Sequence, residues 1–227
     1  MLKRAEARLD RLTTPPLFHF EQLPMTTPAK LRLIIVRISE RPLNSSLKCE
    51  GLMPKYLVVS TSGNPESNSR SMGRAAFAHL EKAKVDCAWL DLRDLNLPIC
   101  DADTCYAQPV TQKLNAAIES ADAILIATPV YNYDVSAAAK NMVELTGSSW
   151  EDKIVGFLCA AGGMNSYMSV MAFANSLMLD FRSVIIPRFV YATGDAFDGE
   201  KLKDEKVAKR IQEVAGELIR FAQALRG

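Results

Sequence analysis

From Tyr56 onward the chain alternates short, continuous apolar runs with segments of helical periodicity, and this alternation constrains the fold more than any other feature. The apolar runs are Tyr56 to Ser60 (YLVVS), Cys87 to Leu92 (CAWLDL), Ala123 to Ala127 (AILIA), Ile154 to Ala160 (IVGFLCA) and Ser183 to Ile186. Between and after them, Ser69 to Lys84, Pro109 to Ala121, Ala137 to Leu145, Tyr167 to Leu179 and Asp204 to Leu225 carry apolar residues at helical spacing. A strand with no polar alternation is buried on both faces, which is the condition of a parallel sheet covered by helices on both sides. The expectation is an α/β fold, a three-layer α/β/α arrangement around a five-stranded doubly wound parallel sheet.

Residues 1–54 have a different character. Pro15, Pro16, Pro24, Pro28, Pro42 and Pro54 cut them into short pieces, of which Leu2 to Leu12 suits a short helix and Leu31 to Ile38 a strand. Met53-Pro54-Lys55-Tyr56 resembles a chain start immediately before a first strand. The expected organisation is therefore an N-terminal extension over 1–54, partly irregular, and one domain over 55–227.

Several function classes are set aside at this level. Net charge is +1, with basic and acidic residues interleaved, so no basic stripe for nucleic acid is present. No stretch reaches membrane-spanning length and the first residues lack a signal-peptide core, which points to a cytoplasmic protein without a membrane partner. The five cysteines (Cys49, Cys87, Cys100, Cys105 and Cys159) show no disulfide framework, and Cys100 and Cys105 lack the spacing of a zinc or iron–sulfur site. They read as reduced thiols, and His19 and His79 as ordinary residues with no metal or triad partner.

Ligands of a doubly wound sheet bind beyond the carboxyl ends of its strands, where strand order reverses. The loop after the first strand, Thr61 to Ser69, clusters Ser62, Ser67, Asn68 and Ser69 at a helix start. Free amides, the helix dipole and several hydroxyls together suit a phosphate, whereas a simple N-cap needs one such residue. The loop has neither the Lys of a GxxxxGK[ST] motif nor the glycines of GxGxxG. The loop after the third strand, Thr128 to Ser136, sets Pro129, Val130, Tyr131, Asn132 and Tyr133 in a row, suited to a flat heteroaromatic ring or to local packing. After the fourth strand, Ala161, Gly162 and Gly163 permit close backbone approach to a ligand, or form a bare turn.

Together these loops resemble the NADPH-dependent FMN reductase family, flavodoxin-like quinone, azo-dye and chromate reductases. The resemblance rests on Thr128-Pro129-Val130-Tyr131-Asn132 followed by Lys140-Asn141, similar to a P-x-Y-N … K-N block, and on Asp91 to Pro98, similar to DLRDLxLP. Ala161-Gly162-Gly163 resembles the family's Gly-rich loop. It implies a flavodoxin-like fold and bound FMN, with NADPH or NADH as co-substrate. The reaction is then electron transfer to a small-molecule acceptor such as a quinone, flavin, azo compound or metal oxyanion, in a homodimer or homotetramer. The resemblance also implies that Ser62, Ser67, Asn68 and Ser69 hold the phosphate, that Pro129 through Tyr133 line the ring, and that Ala161 to Gly163 approach its edge. No side chain is assigned as a catalytic acid or base. The first loop departs from the pattern, with Asn64 or Pro65 where an Arg is usual, so Arg70 is the candidate to supply that charge. The competing readings are a flavodoxin-type electron carrier, which near-neutral charge disfavours, and a non-catalytic flavin-binding protein.

Overall fold

In a computed structural model, residues 53–226 are described. The short helix expected within Leu2 to Leu12 and the strand expected within Leu31 to Ile38 lie outside them. The elements, in chain order, are β1 (Lys55–Ser60), α1 (Asn68–Lys82), β2 (Asp86–Asp91), α2 (Pro109–Ser120), β3 (Ala123–Tyr131), β4 (Asp134–Val135), α3 (Ala137–Thr146), β5 (Ile154–Ala161), α4 (Val170–Phe181), β6 (Val184–Ile185), β7 (Val190–Thr193), β8 (Phe197–Asp198), β9 (Lys201–Leu202) and α5 (Glu205–Arg226).

The main sheet runs in the order β2-β1-β3-β5-β6, all parallel, with β7 also pairing β5 further along. Period-two alternation splits the core between the two faces. Tyr56 and Val58 of β1, Leu125 of β3 and Leu158 of β5 pack with Met72 and Leu80 of α1 and Ile211, Val214 and Leu218 of α5. Their neighbours Leu57, Val59, Ile124, Ile126 and Phe157 face the other way, onto Leu114 and Ile118 of α2, Met142 of α3 and Phe173 and Leu177 of α4. Two glycines set how near helices and sheet come together. A Cβ on Gly73 of α1 would sit 3.0 Å from the Ala127 Cβ, and one on Gly156 of β5 would sit 2.9 Å from Leu125 Cδ1.

Helix starts follow the chemistry of their first residues. Ser67 caps α1 and Ser136 caps α3 by accepting from Arg70 N–H and Ala139 N–H, while Pro109 opens α2. Asp204 accepts from the Lys206 and Val207 amides ahead of α5, at 2.7 and 3.1 Å.

The fifth strand differs from its expectation. The Ser183 to Ile186 run supplies only β6, and Pro187, which has no N–H to give a ladder, interrupts the strand. Pairing with β5 resumes over Val190–Thr193, so the strand position beside β5 is filled in two pieces. The second difference lies in the stretch expected as a loop after the third strand. β3 continues through Pro129 to Tyr131 and folds back onto β4 as a hairpin, pairing Val130 with Val135 and Tyr131 with Asp134. Asn132 and Tyr133 form its two-residue turn with φ of 51° and 64°, the left-handed pair that a tight hairpin requires.

Candidate functional site

Unequal strand ends create the site. β1 stops pairing at Ser60, opposite Ala127, whereas β3 runs on against β5 to Pro129, opposite Ala160. Beyond Ala127 the β3 edge that faced β1 therefore lacks that partner, β3 pairing further only with β5 and, at Val130 and Tyr131, with β4, and the chain leaving β1 turns away towards α1. Pro129 suits that edge, because its missing N–H forfeits no ladder bond. The gap is a crevice of about 240 Å³ lined by the loop after β1 (Ser62, Asn64, Glu66, Ser67, Asn68, Ser69), the end of β3 (Pro129, Val130, Tyr131), the end of β5 (Ala160, Ala161, Gly162) and Gly194 after β7.

The structure thus gathers nine of the thirteen residues singled out in the sequence around one opening: Ser62, Ser67, Asn68, Ser69, Pro129, Val130, Tyr131, Ala161 and Gly162. The floor is the N-terminus of the fifteen-residue helix α1, whose first amides have no intrahelical carbonyl to bond. Ser62 and Ser69 are each 1% exposed and Ser67 5%. Ser62 Oγ accepts from the Asn64 amide at 3.3 Å, keeping its proton for another acceptor. Ser67 Oγ meets Ser69 Oγ at 3.0 Å while capping α1. The simple N-cap and the hydroxyl cluster therefore coexist. Opposite, a Cβ on Gly162 or Gly163 would touch no atom within 4 Å, so the space beside this backbone is open. Bare amides, hydroxyl donors and an unfilled wall fit a phosphomonoester entering along the α1 axis.

Four singled-out residues take other positions. Arg70 does not line the crevice; its guanidinium turns inward and is fully engaged. Nε reaches Asp91 Oδ2 at 2.5 Å, Nη2 reaches Ser62 O at 2.8 Å and Asp91 Oδ1 at 3.4 Å, and Nη1 reaches Asn64 O at 2.6 Å and Pro65 O at 3.1 Å. With side chains 15% and 6% exposed, the Arg70–Asp91 pair is largely out of water. Arg70 draws three loop carbonyls inward, which holds the loop's shape. Asn132 faces a neighbouring cavity of about 560 Å³ between the hairpin, α3 and α4, which Tyr131 also lines. Tyr133, 66% exposed, lines neither cavity. Gly163 also lies outside the lining, and its carbonyl accepts a hydrogen bond from the Tyr191 hydroxyl.

Asn64, Glu66, Ala160 and Gly194 escaped the sequence reading. The first two belong to a loop already singled out and Ala160 to a recognised strand, while Gly194 was hidden by the missed strand β7; the apolar run Val190-Tyr191-Ala192 ending in Thr193-Gly194 was its available signal. A second tier of contacts was also invisible. Ser136 Oγ lies 3.0 Å from both Thr61 O and Thr61 Oγ1, so the cap of α3 is tied to the loop after β1. The Lys140-Asn141 pair works away from the crevice. Lys140 bonds Glu144 at 2.8 Å, and Asn141 clamps the segment before α2 by accepting from Cys100 N–H at 2.9 Å and donating to Pro98 O at 2.8 Å.

Among the described residues no group of three or more His, Cys, Asp or Glu is placed to hold a metal ion, and no helix is long and apolar enough to cross a membrane.

A family model described as NADPH-dependent FMN reductase matches residues 54–198. The chain is 28% identical over 147 residues to an NAD(P)H-dependent FAD/FMN reductase of Geobacillus thermodenitrificans, covering 63% of this chain and 79% of that protein. It is 28% identical over 190 residues to an NADPH:quinone oxidoreductase of Arabidopsis thaliana, covering 78% and 96%. In fold it is similar to a flavoenzyme NAD(P)H:(acceptor) oxidoreductase from Paracoccus denitrificans, with a TM-score of 0.63 and 20% identity over 75% of this chain and 98% of that one.

Proposed function

Because the chain belongs to the NADPH-dependent FMN reductase family, we propose that FMN sits in the crevice at the ends of β1, β3, β5 and β7 and that a quinone is the acceptor reduced there. The protein is an oxidoreductase of flavodoxin-like fold that uses FMN with NAD(P)H. The observation that carries the placement is the mismatch of strand ends, which opens a polar, amide-floored slot at the point where strand order reverses.

When bound, FMN supplies the redox chemistry, accepting hydride from the nicotinamide and passing two electrons on. This chain's own residues bind and orient. Ser62, Ser67, Asn68 and Ser69, with the first amides of α1, would hold the phosphate end, Ser62 having a proton free to donate to it. At about 240 Å³ the crevice falls below the range of pockets that enclose a whole drug-sized ligand. It would take the phosphate and the chain next to it, with Pro129 to Tyr131 and Ala161-Gly162 as the residues that would border the ring. Tyr131, 52% exposed, offers a ring face there. Hydride transfer needs no protein acid or base, and no side chain is assigned one. The relatives named as quinone oxidoreductases support the acceptor class.

Two further parts belong to the same reading. The flavin-binding domain spans 55–227, with 1–54 an extension to it. Exposed Met164, Tyr167 and Met168, just past the glycine loop, support a homodimeric or homotetrameric contact.

The test is steady-state oxidation of NADPH by FMN-loaded protein with a simple benzoquinone as sole acceptor. Sustained turnover without any partner protein is expected. Oxidation that stops after one equivalent of NADPH per flavin, and resumes only when a redox partner protein is added, would establish an electron carrier instead.

A further inference from the structure

The segment between β2 and α2 carries a thiol arrangement that the flavin site does not use. Cys100 and Cys105 are separated by four residues, and their Sγ atoms lie 3.9 Å apart. Asp101 builds the turn that brings them together. Its Oδ1 accepts the Asp103 and Cys105 amides, each at 3.0 Å, and its Oδ2 accepts the Thr104 hydroxyl at 2.6 Å. From the other side Asn141 Oδ1 accepts the Cys100 amide, which fixes that residue against α3. The two sulfurs differ in setting. Cys105 is buried at 1% exposure, whereas Cys100 is half-buried and reaches the surface. The Cys105 thiol and the Ala102 amide donate to the Cys100 sulfur, the Tyr106 hydroxyl lies 3.6 Å from it, and the Cys100 thiol in turn reaches the Glu144 carbonyl at 3.8 Å. Neither cysteine lines the flavin crevice.

We propose that Cys100 and Cys105 are a peroxide-reactive dithiol, with Cys100 the attacking sulfur and Cys105 the resolving one. The Cys100 thiolate attacks one oxygen of a hydroperoxide, here hydrogen peroxide. The O–O bond breaks, hydroxide leaves, and Cys100 becomes a sulfenic acid. The Cys105 thiolate then attacks the Cys100 sulfur; the S–O bond breaks, and water leaves with the proton given up by the Cys105 thiol. Two thiols have lost two electrons and two protons, and the peroxide has become two waters. A gap of 3.9 Å closes to bonding distance by rotation about Cα–Cβ and a small shift of the exposed Cys100 end.

Charge state agrees with the assigned roles. Hydrogen bonds from Tyr106 and from the Ala102 amide lower the Cys100 thiol below its ordinary range, whereas burial raises Cys105. Thiolate is the nucleophile, so the lowered, accessible thiol attacks first. The other two free cysteines among the described residues lack this setting. Burial, with Glu81 and Asp86 nearby, raises Cys87, and burial pushes Cys159 up to about 12.

Tryptic cleavage after Arg93 and Lys113 places both cysteines, and no other, in one peptide, Asp94 to Lys113. The full chain is treated with hydrogen peroxide, free thiols are then blocked with N-ethylmaleimide in denaturant so that buried sulfurs are reached, and the digest is weighed. The expected product is this peptide lighter by two hydrogens and unalkylated, restored by dithiothreitol, while Cys87 and Cys159 remain alkylatable. Cys105→Ala should stop at the sulfenic acid and yield a dimedone adduct on Cys100; Cys100→Ser should leave Cys105 alkylated. Full alkylation of both cysteines after peroxide, oxidation of Cys87 at the same rate, or Cys100 joined to Cys49 or to another chain would each overturn the proposal. The readout is independent of flavin, so it stands or falls apart from the function proposed above.

Discussion

Replacing Arg70 by methionine should destabilise the domain by about 2–4 kcal/mol and weaken FMN binding by at least about tenfold. The stability loss arises from Asp91, which is 6% exposed on its side chain and would be left buried without its partner. Three loop carbonyls, those of Ser62, Asn64 and Pro65, lose their donor at the same time. For a domain of this size the melting temperature should fall by about 5–15 °C, read by circular dichroism. The weakened binding arises from the loop, because the carbonyls that Arg70 pulls inward fix where Ser62 and the first amides of α1 point. Arg70→Lys separates this account from direct charge attraction. A lysine keeps the positive charge but has no planar fork to reach Asp91 and the carbonyls together. Affinity should therefore stay low in Arg70→Lys. Recovery of wild-type FMN affinity by lysine would show that Arg70 acts on the phosphate through charge.

The second large effect is expected at Gly162 and has the opposite profile. No atom lies within 4 Å of a Cβ built there, so Gly162→Leu should fold with a melting temperature within about 1 °C of wild type. Gly162 lines the crevice, and the new side chain would occupy volume assigned to the flavin. FMN affinity should fall by about a hundredfold, on the order of 2.7 kcal/mol. Fluorescence titration of FMN into the apoprotein checks this; undiminished affinity in a folded variant would place the flavin elsewhere. Together the two variants separate residues that build the loop from residues that border the space.

Much of the fold was legible because period and burial agree along this chain. Runs such as AILIA at Ala123 to Ala127 are apolar at every position, and the structure buries them on both faces of a parallel sheet. The loop after β1 was legible for a similar reason, since a cluster of hydroxyl residues at a helix start exceeds what one cap needs. What sequence could not show were effects of tertiary context. Pro187 concealed β7, because a proline ends a local strand pattern while β5 still offers pairing beyond it. The hairpin at Asn132-Tyr133 lacks the Gly that usually marks such a turn, so Thr128 to Ser136 read as an open loop. Arg70 was expected to face the phosphate; its direction depends on Asp91, twenty-one positions away at the end of β2. Likewise the meeting of Cys100 and Cys105 depends on the turn that Asp101 organises, which spacing alone did not reveal.

The central claim is that the N-terminus of α1, with Ser62, Ser67 and Ser69, grips the phosphate of FMN. Riboflavin carries the same ring and ribityl chain without that phosphate, so its affinity relative to FMN isolates the contact. Titration of the apoprotein by flavin fluorescence quenching should show FMN bound at least about a hundredfold tighter than riboflavin, the scale of one or two charge-assisted hydrogen bonds. Equal affinities for the two flavins would contradict the account.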